Sequence, residues 1–151
     1  MGLSTNHVLQ AERDIVRLIR DTWAAIDGKD WDAYADGFAA DGEFEIMGQR
    51  RKGREEIVAG PARDLAKFDG LQHLVMNEIV DVDGDRAVGQ WYAIAVHVPD
   101  ASNPAAHADV GLRYRFKARR DEARWRFEEA VIDIIWTGGM AFGIEERPDG
   151  Q

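Results

Sequence analysis

Asp83-Gly84 sits between two long runs of β-formers, Leu71 to Val82 and Arg86 to Val98. An Asp-Gly pair flanked by such runs is the strongest short-range signal for a hairpin. The two runs are therefore expected to lie side by side as antiparallel strands. Two more runs follow, Ala108 to Ala118 and Arg124 to Trp136. A polar loop with two prolines (Pro99 to Ala106) precedes them, and the turn Arg119 to Ala123 divides them. The second half of the chain thus predicts a long antiparallel meander.

The first half reads as helices. Val8, Ala11, Ile15, Leu18, Ile19, Thr22 and Ile26 recur at helical spacing and form one stripe. Gly28 stops that helix and Asp30 caps a second, short one from Trp31, whose apolar face is Trp31, Tyr34, Ala35 and Phe38. Asp41-Gly42 marks a turn, and Glu43 to Ile46 alternates like a strand. Gly48 and Gly53 bracket a polar turn, and Arg54 to Phe68 predicts a third helix kinked near Gly60-Pro61. Helices followed by an antiparallel meander give an α+β fold. A length of 151 residues suits one domain over 1–151, with 137–151 a flexible tail or flap. In the last run Ala130, Ile132 and Ile134 share one face, and Val131 and Ile135 the other. Both faces must then be covered, the second by another copy of the chain or by the tail. A homodimer or homotrimer is expected.

Several classes of function fall away. There is no cysteine, which excludes disulfides, thiolate nucleophiles and cysteine-ligated metals. The four histidines (His7, His73, His97, His107) lack zinc-motif spacing, so no metal and no cofactor are expected. A net charge of −9 argues against a nucleic-acid partner. The basic runs Arg50-Arg51-Lys52 and Arg119-Arg120 are flanked by acids and read as solvated surface. No stretch is long enough to span a membrane and no leader pattern is visible, so the expected location is cytoplasmic.

The segment Thr22-Trp23-Ala24-Ala25-Ile26-Asp27-Gly28-Lys29-Asp30-Trp31-Asp32 resembles the first helical corner of the SnoaL-like branch of the NTF2-like superfamily. The resemblance continues through Gln72-His73-Leu74, Val88-Gly89 to Val96-His97-Val98, and Trp125-Arg126-Phe127 to Asp133-Ile134-Ile135-Trp136. It is strongest toward the family's scytalone dehydratases and hexachlorocyclohexane dehydrochlorinases. It implies a cone: a strongly curved antiparallel sheet wrapped on three N-terminal helices, enclosing a deep pocket. It also implies a catalytic Asp27 and His73, with His97 a third member. Two tyrosines that assist the dehydratases' leaving group correspond to Ile26 and Ile46, and a pocket asparagine to Leu112. The implied pocket is therefore more apolar, and scytalone itself is not the expected substrate.

A neutral imidazole accepts a proton at pH 7, and a neighbouring carboxylate fixes its tautomer. His73 is the expected base and Asp27 its partner, with His97 protonating a leaving oxygen or polarising a carbonyl. His73 and His97 can share a cavity if a bulge corrects the register of the hairpin. Trp23, Tyr34, Ile46, Trp91 and Leu112 are the candidate substrate-binding side chains. Asp27 at a helix C-terminus opposes the helix dipole, which calls for a reason beyond capping. His107 is expected to be solvated, and Asp133 to be a buried acid or an edge or interface residue. The expected function is a cofactor-independent lyase acting on a hydrophobic, aromatic or polycyclic molecule. The alternatives are an isomerase or cyclase of ketosteroid-isomerase type, a non-catalytic binding module, and the small subunit of a ring-hydroxylating oxygenase. The isomerase requires a tyrosine donor, and no tyrosine stands at a matching place in the sequence.

Overall fold

The computed structural model describes residues 5–139. The chain opens with helix α1 (Thr5–Asp27), which buries Ala11, Ile15, Ile19, Thr22, Trp23, Ala25 and Ile26. Five of the seven residues of the predicted stripe are among these, joined by Trp23 and Ala25, while Val8 and Leu18 are only half-buried. Helix α2 (Trp31–Asp36) is capped by Asp30, whose carboxylate accepts from the Ala33 N–H at 3.0 Å. Strand β1 (Phe38–Ile46) starts five residues earlier than the alternation suggested and takes Phe38 away from the helix. The expected turn between Gly48 and Gly53 is instead strand β2 (Gln49–Lys52), paired antiparallel with β1. Helix α3 (Gly53–Asp64) ends four residues before Phe68, and Pro61 lies inside it.

The meander follows as β3 (Gly70–Asp83), β4 (Arg86–Val98), β5 (Ala108–Asp121) and β6 (Arg124–Gly139). The six strands form one sheet in the order β2-β1-β6-β5-β4-β3. It is mixed, because β1 runs parallel to β6. The three helices are also not all N-terminal, since β1 and β2 precede α3. Within this correction the α+β cone is as expected. Of the tail, residues 137–139 extend β6, and the remainder lies outside the described residues.

The β3–β4 hairpin closes through Gly84 at φ 59°, with Asp83 opposite Arg86. Its register slips by one residue between Met76 and Ile79, and Asn77 sits there at φ 55°. Asparagine tolerates this left-handed conformation better than most residues. Above the slip His73 faces Ala95 and Leu71 faces His97. Paired residues share a face, as do residues two apart on a strand. The bulge therefore puts His73 and His97 on one side of the sheet. Without it His73 would pair with Val96, and the two rings would point to opposite sides.

The inner side of the sheet carries an aromatic core. Trp23 meets Trp91 and Tyr114 edge-on, each at 4.9 Å between ring centroids, and donates from Nε1 to the Tyr114 hydroxyl at 2.9 Å. Trp91 stacks flat on Tyr114 at 4.6 Å. Ala130 and Ile132 are buried on this side, whereas Ile135 is 54% exposed on the other. The two-faced reading of β6 holds.

Candidate active site

Asp27 is the last residue of α1, and α1 packs on β3. Its two carboxylate oxygens accept from the backbone N–H of His73, at 3.1 and 2.9 Å. One of them also lies 2.6 Å from Nδ1 of the same residue. This is the reason a carboxylate stands where the helix dipole disfavours it. A carboxylate can only accept, so Nδ1 carries the proton and donates it to Asp27. In the neutral ring Nε2 is then left with a lone pair, and the imidazole can act as a base through that atom.

His73 faces a cavity of about 710 Å³ enclosed by the helices, β1, β2 and the inner side of the sheet. That volume suits a small organic ligand. His97 lines the same cavity, with its ring centroid 6.3 Å from that of His73. Its Nδ1 lies 3.3 Å from the Ala108 carbonyl oxygen, and Phe68 packs against its ring at 5.0 Å. Burial, followed by the nearby His73, holds its pKa below the ordinary histidine value, against the opposing pull of the Ala108 and Ala95 carbonyls. His97 is thus neutral at pH 7. A neutral ring that donates Nδ1–H to Ala108 carries no proton on Nε2, so that atom can accept a hydrogen bond but cannot protonate a leaving oxygen. The expected acid role requires prior uptake of a proton.

Trp23, Tyr34, Ile46 and Leu112 all line the cavity. Trp91 does not: it lies behind Tyr114, fully buried in the core, and cannot touch a ligand. His107 is 2.6 Å from Asp109 and only partly exposed. Asp133 lies on the outer side of the sheet between Arg113 and Arg115, which hold its carboxyl below the usual range.

Tyr114 and Arg51 are among the lining residues that the sequence reading did not name as site residues. Tyr114 stands two positions along β5 from Leu112, so strand parity already placed it on the same face. Arg51 was grouped with its neighbours as solvated surface. Arg50 does pair outside with Glu43, Glu45 and Glu129, and Lys52 with Glu43. Alternation along β2 turns Arg51 the other way, beside Phe44 and into the cavity. The pocket is mostly apolar, around Ile26, Ile46, Leu112, Ile132 and Ile134 among others, with the two histidines, Tyr34, Tyr114 and Arg51 among its polar side chains. Among the described residues no cluster of three His, Asp or Glu side chains could hold a metal ion. None of the described helices is long and apolar enough to cross a membrane.

The fold recurs in solved structures. A provisionally named scytalone dehydratase from Novosphingobium aromaticivorans superposes with a TM-score of 0.82 at 19% identity, over 91% of this chain and 92% of that one. A type 2 hexachlorocyclohexane dehydrochlorinase gives 0.74 at 18% identity, over 95% and 97%. A provisionally named aromatic ring hydroxylase, also from N. aromaticivorans, gives 0.76 at 24% identity, over 87% and 94%. At these identities the likeness is one of fold. No protein of curated function matches the sequence. The family model described as the SnoaL-like domain matches residues 7–131. With the match spanning both the Asp27 corner and the strands that carry His73 and His97, the chain belongs to the SnoaL-like domain family.

Proposed function

We propose that this protein is a cofactor-independent lyase that eliminates a small group from a hydrophobic, aromatic or polycyclic molecule after proton abstraction by His73. The observation that carries this reading is the 2.6 Å contact between His73 Nδ1 and Asp27 at the wall of a ligand-sized cavity. Asp27 fixes the ring tautomer and stabilises the imidazolium formed when Nε2 takes a proton. His97 accepts a hydrogen bond from a substrate hydroxyl, or assists departure once it is itself protonated. The dehydratase and dehydrochlorinase names among the fold's neighbours agree with an elimination. A breakdown reaction of aromatic compounds in the cytoplasm is the setting proposed.

The test is a screen of hydroxylated aromatic compounds for new ultraviolet conjugation, with proton exchange in heavy water followed by NMR. His73→Gln should lower turnover by about 10²-fold or more while the protein stays folded. Unchanged turnover in that variant would move the base elsewhere. A second reading, isomerisation by proton transfer, gains from Tyr34 and Tyr114 among the cavity-lining residues, since that chemistry needs a tyrosine donor. Exchange without loss of a fragment would favour it.

We further propose that a second copy covers the outer side of the sheet. Leu74, Ile94, Gly111 and Trp136 lie in one row across β3 to β6, and Leu74 and Trp136 are exposed. Ile79, Val88 and Ile135 are exposed as well. Apolar surface on this scale favours burial against a partner.

A further inference from the structure

The cavity wall opposite ordinary expectation is the one formed by β2 and α3. Arg51 rests its guanidinium on the helix at Gly60: a Cβ there would stand 2.2 Å from Nη1 and 2.3 Å from Cζ. The helix is thus built without a side chain where the cation sits. Arg50 and Lys52 on either side are paired with acids, yet among the described residues no carboxylate pairs with Arg51. A guanidinium presents a fork of donors and cannot lose its charge.

Tyr34 adds a second donor. Tyr34 lines the cavity, and its buried hydroxyl finds no hydrogen-bond partner among the described residues. Leaving a buried hydroxyl unpaired costs stability, so a fold that keeps one gains something from it. Burial, and then the neighbouring Tyr114, hold its proton far above the ordinary phenol range, while Arg51 pulls the other way. Tyr34 therefore donates at any working pH. Both side chains line one cavity, and among the described residues neither has an acceptor. Arg63, Asp64 and Lys67 also line that cavity; Arg63 pairs with Asp64 at 2.8 Å, so Arg51 and Lys67 leave the lining basic in a chain of net charge −9.

Building on the reading of this cavity as a substrate site, we propose that Arg51 and Tyr34 anchor an anionic oxygen group of the substrate, a carboxylate. Two carboxylate oxygens match the guanidinium fork and leave a lone pair for the Tyr34 hydroxyl. The apolar skeleton then lies against Ile26, Ile46 and Leu112, with its acidic C–H toward His73. The substrate class is an aromatic or polycyclic carboxylic acid, and Arg51 is its specificity-determining residue.

The experiment measures binding, so it does not depend on turnover. Benzoate, cinnamate and 2-naphthoate are titrated calorimetrically against their neutral amides. The wild-type protein should bind at least one acid about tenfold or more tighter than its amide. Arg51→Gln should abolish that preference without weakening amide binding. Tyr34→Phe should reduce it severalfold. Gly60→Ala, which unseats the guanidinium but keeps it, should weaken the acid alone; circular dichroism checks the fold of each variant. Equal affinity for acid and amide, no binding of any acid, or an unchanged preference in Arg51→Gln would overturn the anchor. An anchor that fails leaves the His73 reading to its own turnover test, and the reverse holds too.

Discussion

Single side chains separate function from stability most sharply at Tyr34. A residue kept for packing alone loses stability when trimmed. Here the hydroxyl is buried and unpaired, so Tyr34→Phe removes a desolvated polar group. We expect the variant to be more stable by about 1 kcal/mol in urea denaturation, although it binds the acid probes less well. His97 makes a pH prediction. Its folded pKa is depressed, so between the ordinary value and the lower folded one the unfolded chain binds more protons. Its contribution to stability is intact above about pH 6.5 and is lost as pH falls through that window, by up to about 1.4 kcal/mol per unit. His97→Gln should flatten that part of the stability profile. Asp27 and His73 were legible because an acid at a helix end needs a reason, and the family resemblance supplied one. Arg51 was not legible as a site, since a run of three bases beside acids looks the same whether its middle member turns in or out. Trp91 was misread because parity places a residue on a face but does not say that Tyr114 stands between it and the cavity.

At the level of elements, the bulge in β3 decides whether the two histidines meet. Gly89 pairs with Val80 just beyond it: a Cβ there would come within 2.0 Å of the Ile79 carbonyl oxygen and 2.7 Å of the Phe116 ring. Gly89→Ala should therefore cost about 2 kcal/mol or more and raise the KM of any reaction found, read by denaturation and steady-state kinetics. The turn at Gly84 was plain from two residues, and β4 follows its apolar run from end to end. The early start of β1, the whole of β2 and the parallel pairing of β1 with β6 were hidden. Polar strands such as Gln49–Lys52 have no apolar alternation to reveal them, and their pairing depends on a partner far along the chain. Helix α3 keeps Pro61 because a proline removes one hydrogen bond near the end of a short helix rather than breaking a long one.

For the molecule as a whole, the exposed row on the outer side of the sheet predicts a stable assembly of two or three copies. Light scattering should give a multimer for the wild type, and Trp136→Glu or Leu74→Lys should shift it to the monomer. A monomeric wild type would leave the apolar row without this explanation. The link between Asp27 and β3 has a consequence for kinship as well. Its carboxylate ties the longest helix to an edge strand through the backbone N–H of His73, a bond that any residue except proline would offer at position 73. A relative without any catalysis would still gain from keeping the acid as a tie. In relatives of this chain an aspartate at that corner therefore testifies to ancestry, and only the imidazole beside it testifies to a surviving reaction.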